Sequence, residues 1–168
     1  KEVDNLIIVI GKTEGHLEQS LFARDILNEK KGPPPEINLF NEKNNGETIL
    51  KLIDKDFIKS AHDVSLGGII TAISKMSIYG KKGFKLNKLN TLVNKFEYFF
   101  GEDQGRYIIE IDPKNLTNVK KILKYNSVHF DEIGTIIKNE IIFDNEPILS
   151  VDDLIESNTR WLKDYMLQ

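Results

Sequence analysis

No cysteine occurs in the 168 residues of the chain, which excludes disulfides, thiolate metal sites and cysteine nucleophiles. Long hydrophobic runs are lacking as well. The longest continuous apolar stretch is Leu6–Ile10, far shorter than the roughly 20 residues of a membrane-spanning helix. The sequence therefore predicts no membrane partner, and the absence of cysteine is consistent with a reducing, cytoplasmic location.

An excess of basic charge is also missing. Lysine and arginine number 23 against 26 acidic residues, which gives a formal net charge of -3. Nucleic-acid binding requires a basic face, so no nucleic-acid partner is predicted. The length fits a single domain covering residues 1–168. Because the chain opens on Lys1 without an initiator Met or a signal-peptide layout, we expect it to be excised from a longer multidomain chain.

Histidines are few and scattered. His16, His62 and His129 show no metal-ligand spacing, so a zinc site is not predicted. No Ser/His/Asp constellation is recognisable, and no catalytic residue is assigned. Residues 11–15 follow the first strand, but they match neither of the glycine-rich phosphate-binding patterns.

Strands and helices alternate along the chain. Hydrophobic periodicity, turn residues and helix caps predict strands at residues 6–10, 57–61, 83–86, 106–111, 128–137 and 140–143. The same signals predict helices at residues 17–27, 39–53, about 68–78, 89–96, 114–123 and 151–166, the last capped by Ser150 or Asp152. The fold class is therefore α/β (α+β), with a mixed β-sheet covered by helices.

Residues 60–68, SAHDVSLGG, lead from a strand into a helix and form the first candidate site. The glycines permit close backbone approach, and the helix amino end offers N–H groups suited to phosphate. Asp63 is a hard oxygen ligand of the kind that Mg²⁺ accepts together with phosphates and water, and Ser65 can donate to a phosphate oxygen. The residues alone favour a simpler interpretation, in which Asp63 or Ser65 caps the helix.

Residues 99–107, FFGEDQGRY, form the second candidate site. Glu102 and Asp103 lie beside Arg106, where they can form a polar cluster at the edge of a ligand. They can equally form a turn in which Arg106 neutralises the acids. The preceding aromatic residues, Phe96, Tyr98, Phe99 and Phe100, are typical of a core or of a contact between domains.

Several segments in register resemble the C-terminal domain of the phosphoribosylformylglycinamidine synthase family, in the superfamily of aminoimidazole ribonucleotide synthetase. They are residues 32–39 (GPPPEINL), 60–69 (SAHDVSLGGI), 100–107 (FGEDQGRY) and 133–136 (IGTI). Residues 16–22 are similar to the first loop of that family. The order and spacing match along nearly the whole chain.

The resemblance implies an ATP-dependent ligase with glutamine as nitrogen donor, which acts in purine biosynthesis. It implies Mg²⁺ and ATP/ADP as cofactors of the intact enzyme, with Asp63 and Ser65 as nucleotide contacts and Asp63 as the metal ligand. By pseudosymmetry it implies that Glu102, Asp103 and Gln104 face substrate. The implied partners are the N-terminal domains of the parent chain and the glutaminase and small subunits of the complex.

Physical chemistry limits this picture. Half a site supplies too few ligands and no cationic groups for Mg²⁺–phosphate, so we expect the isolated domain to be inactive and to bind no nucleotide tightly. Two alternatives stay open at this point. One is a non-catalytic module that binds a partner through the aromatic residues, and the other is a domain of another enzyme of the same superfamily.

Overall fold

Strand β1, Leu6–Ile10, lies inside a seven-stranded sheet and is buried along nearly its whole length. Its residues are continuously apolar and mostly β-branched, as is typical of a strand covered on both faces. The coordinates are a computed structural model, which describes residues 2–87 and 92–167.

The remaining elements follow in the predicted alternation of strands and helices. The helices are α1 (Leu21–Asp25), α2 (Leu39–Asp54), α3 (Gly68–Gly80), α4 (Lys95–Phe100), α5 (Leu116–Tyr125) and α6 (Val151–Met166), and a 3-10 turn at Pro113–Asn115 leads into α5. The other strands are β2 (Ile58–Asp63), β3 (Gly83–Leu86), β4 (Tyr107–Ile111), β5 (Phe130–Ile137), β6 (Glu140–Phe143) and β7 (Glu146–Ser150).

The sheet has the strand order β2-β4-β1-β5-β3-β6-β7. Its neighbours are antiparallel except for β3 and β6, which are parallel. The predicted mixed sheet covered by helices is therefore confirmed. This order places the ends of β1 and β2 and the start of β5 near the start of β4, where the candidate site lies.

Two hydrophobic cores lie on opposite faces of the sheet, because successive side chains of a strand point to opposite sides. Ile7 and Val9 pack with α3 and α4 on one face, among them Ile69 and Phe99. Ile8 and Ile10 pack with α2 and α5 on the other face. None of the helices in the described residues has the length and hydrophobicity to span a bilayer.

The structure differs from the sequence predictions in three places. The helix predicted at residues 17–27 is confined to Leu21–Asp25, because Ser20 begins it and the preceding backbone is held elsewhere. Part of the helix predicted at residues 89–96 lies outside the described residues, and the observed helix is Lys95–Phe100. Strand β7 was not predicted, since its exposed residues include Pro147, which is tolerated only at a sheet edge.

Candidate functional site

An open cleft of about 860 Å³ lies beside the loop that follows β1. One wall comes from residues 11–18 of this loop, and the opposite wall comes from α2 and the segment before it. On α2 and at its start, Asn38, Asn41, Glu42 and Asn45 line the cleft because three- and four-residue steps return to the same helix face. Gln104, Ser127 and His129 also line the cleft.

The loop is held in shape by the carboxylate of Asp103. Its Oδ2 accepts hydrogen bonds from the backbone N–H groups of Glu14 and Gly15, at 3.2 and 3.0 Å, and its Oδ1 accepts one from His16 at 3.2 Å. These three amides precede the helix predicted at residues 17–27. Asp103 therefore fixes the wall of the cleft from a position almost ninety residues away.

The side chain of Arg106 also supports this loop. Arg106 is buried, with 1% of the residue exposed. Its guanidinium donates to the carbonyl oxygens of Asp103 and Gly101 and to Oγ1 of Thr13, at 3.1, 2.6 and 3.1 Å. Nη1 also lies 3.5 Å from Oδ2 of Asp103. Burial lowers the pKa of Arg106, and the nearby charge of Asp103 opposes this effect. The sequence predicted that Arg106 could neutralise Glu102 and Asp103. The structure pairs it with Asp103, and the pair is buried.

Glu102 has a different set of partners. Its Oε1 accepts hydrogen bonds at 2.8 Å both from the N–H of Leu21, the first residue of α1, and from the N–H of Gly67, at the start of α3. Only 9% of the residue is exposed. The carboxylate therefore connects the amino ends of two helices, where a negative charge is favourable.

Gln104 differs from its two acidic neighbours because it is exposed and lines the cleft. Its Nε2 donates to the carbonyl oxygen of Glu102 at 3.3 Å, so its amide oxygen is left for other partners. Of the three residues expected on the substrate side, Gln104 has the side chain with the freest access. The carboxylates of Glu102 and Asp103 bind backbone instead.

Asp63 and Ser65 lie outside the cleft lining, at the exposed turn between β2 and α3. The side chain of Asp63 is 70% exposed, and its Oδ1 lies 3.4 Å from Nδ1 of His62. The helix cap is Gly67, which makes no side-chain cap bond. The simpler interpretation, in which Asp63 or Ser65 caps α3, is therefore wrong, and both side chains point to solvent without a capping role.

The amino end of α3 is less open to phosphate than its sequence predicts. Gly67 donates its N–H to Glu102, and Gly68 donates its N–H to the carbonyl oxygen of Ser65 at 3.0 Å. Both glycines have positive φ angles, which explains the residue type at this turn. An anion of the protein itself already occupies part of this helix end.

The cleft is rich in carboxylates. Among the described residues that line it, Lys12 is the one lysine or arginine, whereas the acids are Glu14, Glu18, Glu36, Glu42, Glu97 and Asp103. Lys12 itself pairs with Glu14, which raises the pKa of Lys12. In the described ranges no group of three or more His, Asp or Glu side chains is arranged to hold a metal ion. A metal bound here would need ligands from a nucleotide, water or another domain.

The aromatic residues divide between the core and the surface. Tyr98 and Phe99 are 2% and 3% exposed, and the hydroxyl of Tyr98 donates to Asp131 at 2.8 Å. Phe96 is half exposed, and its ring lies near the rings of Phe22 and Phe100. Of the four aromatic residues predicted for the core or a domain contact, Phe96 is therefore the most exposed, and Phe100 is half-buried beside it.

The sequence pattern did not predict what Glu102 and Asp103 bind. Both were placed beside Arg106 because they are neighbours along the chain. Their main partners are amides at residues 14–16, 21 and 67. Backbone donors carry no residue signature, so the pattern of side chains gives no sign of these contacts.

Comparison with known proteins assigns the chain to a family. The model of the family described as AIR synthase related protein, C-terminal domain, matches residues 2–144. The phosphoribosylformylglycinamidine synthase subunit PurL of Pelagibacter ubique is 71% identical over 166 residues, which is 99% of this chain and 23% of that protein. The chain thus spans about a quarter of the length of this relative.

Solved structures share the fold. Thermotoga maritima PurL complexed with FGAR superposes with a TM-score of 0.74 at 18% identity, over 92% of this chain and 28% of the other. Thermotoga maritima PurL complexed with ATP gives a TM-score of 0.66 at 18% identity, over 92% and 26%. At such identities the likeness establishes the architecture of the sheet and its helices.

Proposed function

Because the chain belongs to the family of the AIR synthase related protein C-terminal domain, we propose that it is the C-terminal domain of a phosphoribosylformylglycinamidine synthase. The parent enzyme uses ATP and glutamine-derived ammonia to convert formylglycinamide ribonucleotide to formylglycinamidine ribonucleotide in purine biosynthesis. The observation that carries this proposal is the 71% identity to the Pelagibacter ubique subunit over 99% of the chain.

Within that enzyme Asp63 and Ser65 contact the nucleotide, and Asp63 is a ligand of Mg²⁺. Their exposure at the turn before α3, without a role as caps, supports this assignment. A single carboxylate fits Mg²⁺, which takes one or two carboxylates together with phosphate oxygens and water. The ion would neutralise part of the phosphate charge.

The substrate side of the domain is the cleft, and Gln104 is its contact. Glu102 and Asp103 contribute to this side indirectly, because their carboxylates bind the backbone of the loop beside the cleft. The cleft contributes few cations of its own, so anionic groups of a substrate require cationic partners from elsewhere. The N-terminal domains of the parent chain supply them, and the glutaminase and small subunits deliver ammonia to the assembled enzyme in the cytoplasm.

The deciding assay uses the full-length parent enzyme with its glutaminase and small subunits. We expect ADP formation that depends on both formylglycinamide ribonucleotide and glutamine, and no turnover from the 168-residue chain alone. ATP consumption that ignores this ribonucleotide, or turnover by the isolated chain, would contradict the proposal.

Binding of nucleotide is tested separately by calorimetry. We expect the isolated chain to bind ATP–Mg²⁺ more weakly than micromolar, because half of the site is absent. In the full-length enzyme Asp63→Ala is expected to weaken nucleotide binding. Micromolar binding to the isolated chain that is lost in Asp63→Ala would show that the half site is sufficient.

A further inference from the structure

Glu102 joins the two parts of the candidate site through a single oxygen atom. Oε1 accepts from Leu21 N–H, where the cleft loop ends, and from Gly67 N–H, where the Asp63–Ser65 turn ends, each at 2.8 Å. These two segments are far apart along the chain. The backbone N–H of Glu102 also donates to the carbonyl oxygen of His16 at 2.9 Å, so Glu102 holds the cleft loop at two points.

We propose that Glu102 is a positioning residue, which fixes the cleft loop and the Asp63–Ser65 turn relative to each other. This inference rests on the proposed function, in which the turn contacts nucleotide and the cleft faces substrate. The carboxylate acts through backbone, because its bonded oxygen is engaged by two amides and the residue is almost fully buried.

The geometry explains why an acceptor with two lone pairs is needed. The amides come from the amino ends of two helices, and both would be unsatisfied without a partner. Leaving buried N–H groups without an acceptor is costly, and bonds to a charged group are stronger than neutral ones. With one acceptor shared, neither segment moves without weakening the bond of the other.

The contact is measured by hydrogen exchange of the full-length enzyme, read by mass spectrometry in peptides that span residues 17–23 and 64–70. In Glu102→Ala both peptides are expected to exchange at least about tenfold faster. Glu102→Gln keeps a carbonyl oxygen of the same reach and is expected to restore slow exchange in both. Glu102→Asp, which is one methylene shorter, tests the same contact if the alanine variant does not fold.

The matched control is Glu110→Ala. Glu110 is another buried carboxylate, with 0% exposure, and it binds Asn5, Ser60 and the N–H of Glu2. Its loss is expected to destabilise the protein without selectively speeding exchange in the two peptides. Fast exchange in only one peptide of Glu102→Ala, or equal effects of the two alanine variants on both peptides, would overturn the proposal.

A kinetic measurement separates positioning from general destabilisation. We expect Glu102→Ala to raise the KM for ATP by about tenfold with a smaller change in kcat, and Glu102→Gln to return KM towards the wild-type value. An unchanged KM in Glu102→Ala would contradict the positioning role. If Asp63→Ala leaves the KM for ATP unchanged while the exchange pattern holds, the nucleotide role of the turn is refuted and the contact of Glu102 stands.

Discussion

Arg106 and Asp103 form a buried pair beneath the wall of the cleft, with Nη1 at 3.5 Å from Oδ2. The side chain of Arg106 is 0% exposed and that of Asp103 is 10% exposed. The acid in turn holds the amides of residues 14–16. Arg106 thus places an opposite charge beside the largely buried carboxylate that organises this loop.

Replacing Arg106 by Met should therefore be strongly destabilising. The variant leaves Asp103 as an unpaired buried charge and removes the donors to Thr13 and Gly101, and we expect a loss of about 3 kcal/mol in the free energy of unfolding. Urea denaturation measures it. Arg160→Met is the control, since Arg160 pairs on the exposed side of α6 and should cost about 0.5 kcal/mol or less.

Serine substitutions distinguish a cap from a ligand contact. Ser150 begins α6 with a full capping box, so Ser150→Ala should cost about 1 kcal/mol. Ser65 accepts no capping bond, and Ser65→Ala should change the free energy of unfolding by less than about 0.5 kcal/mol. Thermal or urea unfolding decides the matter, and an equal loss in both variants would restore the capping role of Ser65.

Two glycine-to-alanine variants should have opposite effects on stability. Gly68 has φ +69°, and a Cβ there would lie 2.6 Å from the carbonyl oxygen of Phe99, so Gly68→Ala should cost about 2 kcal/mol or more. Gly46 lies within α2, where a Cβ would meet Tyr107 Oη at 3.4 Å. Gly46→Ala should gain about 0.5–1 kcal/mol from helix propensity. Urea midpoints of the two variants test this contrast.

Tyr98 should make the protein sensitive to alkaline pH. Burial, and then the charge of Asp131, raise the pKa of Tyr98 above its ordinary value of 10.0. Above about pH 10 the unfolded chain loses this proton while the folded chain keeps it, so the free energy of unfolding falls by up to about 1.4 kcal/mol per pH unit. Below that pH the contribution is fully present.

The Tyr98→Phe variant tests this dependence by urea unfolding between pH 8 and pH 11. It should lose some stability at pH 8, because the hydrogen bond to Asp131 is gone, and it should decline less steeply than the wild type above pH 10. Parallel curves for the two proteins would mean that another group causes the alkaline loss.

The regular elements could be predicted where the local pattern agrees with the final environment. Leu6–Ile10 is apolar throughout and becomes the buried β1, and Ser150, one of the two caps expected for α6, is the one observed. In these two places the signal for burial or capping lies in residues that are close together in the sequence, so the sequence alone reveals it. Strand β7 lacks such a signal, since it is mostly exposed and owes its pairing to β6.

The site itself could be predicted only as a set of segments. Residues 17–20 were assigned to the helix predicted at 17–27 because apolar residues from Leu17 onwards recur at helical spacing. Asp103 and Glu102, however, accept hydrogen bonds from amides on both sides of this segment and shape it as a loop. Such bonds join side chains to backbone across long stretches of chain, and hydrophobic periodicity carries no information about them.

Strand β7 has a further consequence at the border of the sheet. It pairs with β6 on one side and is the last strand in the order, so its other side is an edge. Pro147 has no backbone N–H, and the strand is only five residues long before α6 begins. A short edge strand that contains proline is a poor template for another chain, so this border resists strand addition and the aggregation that follows from it.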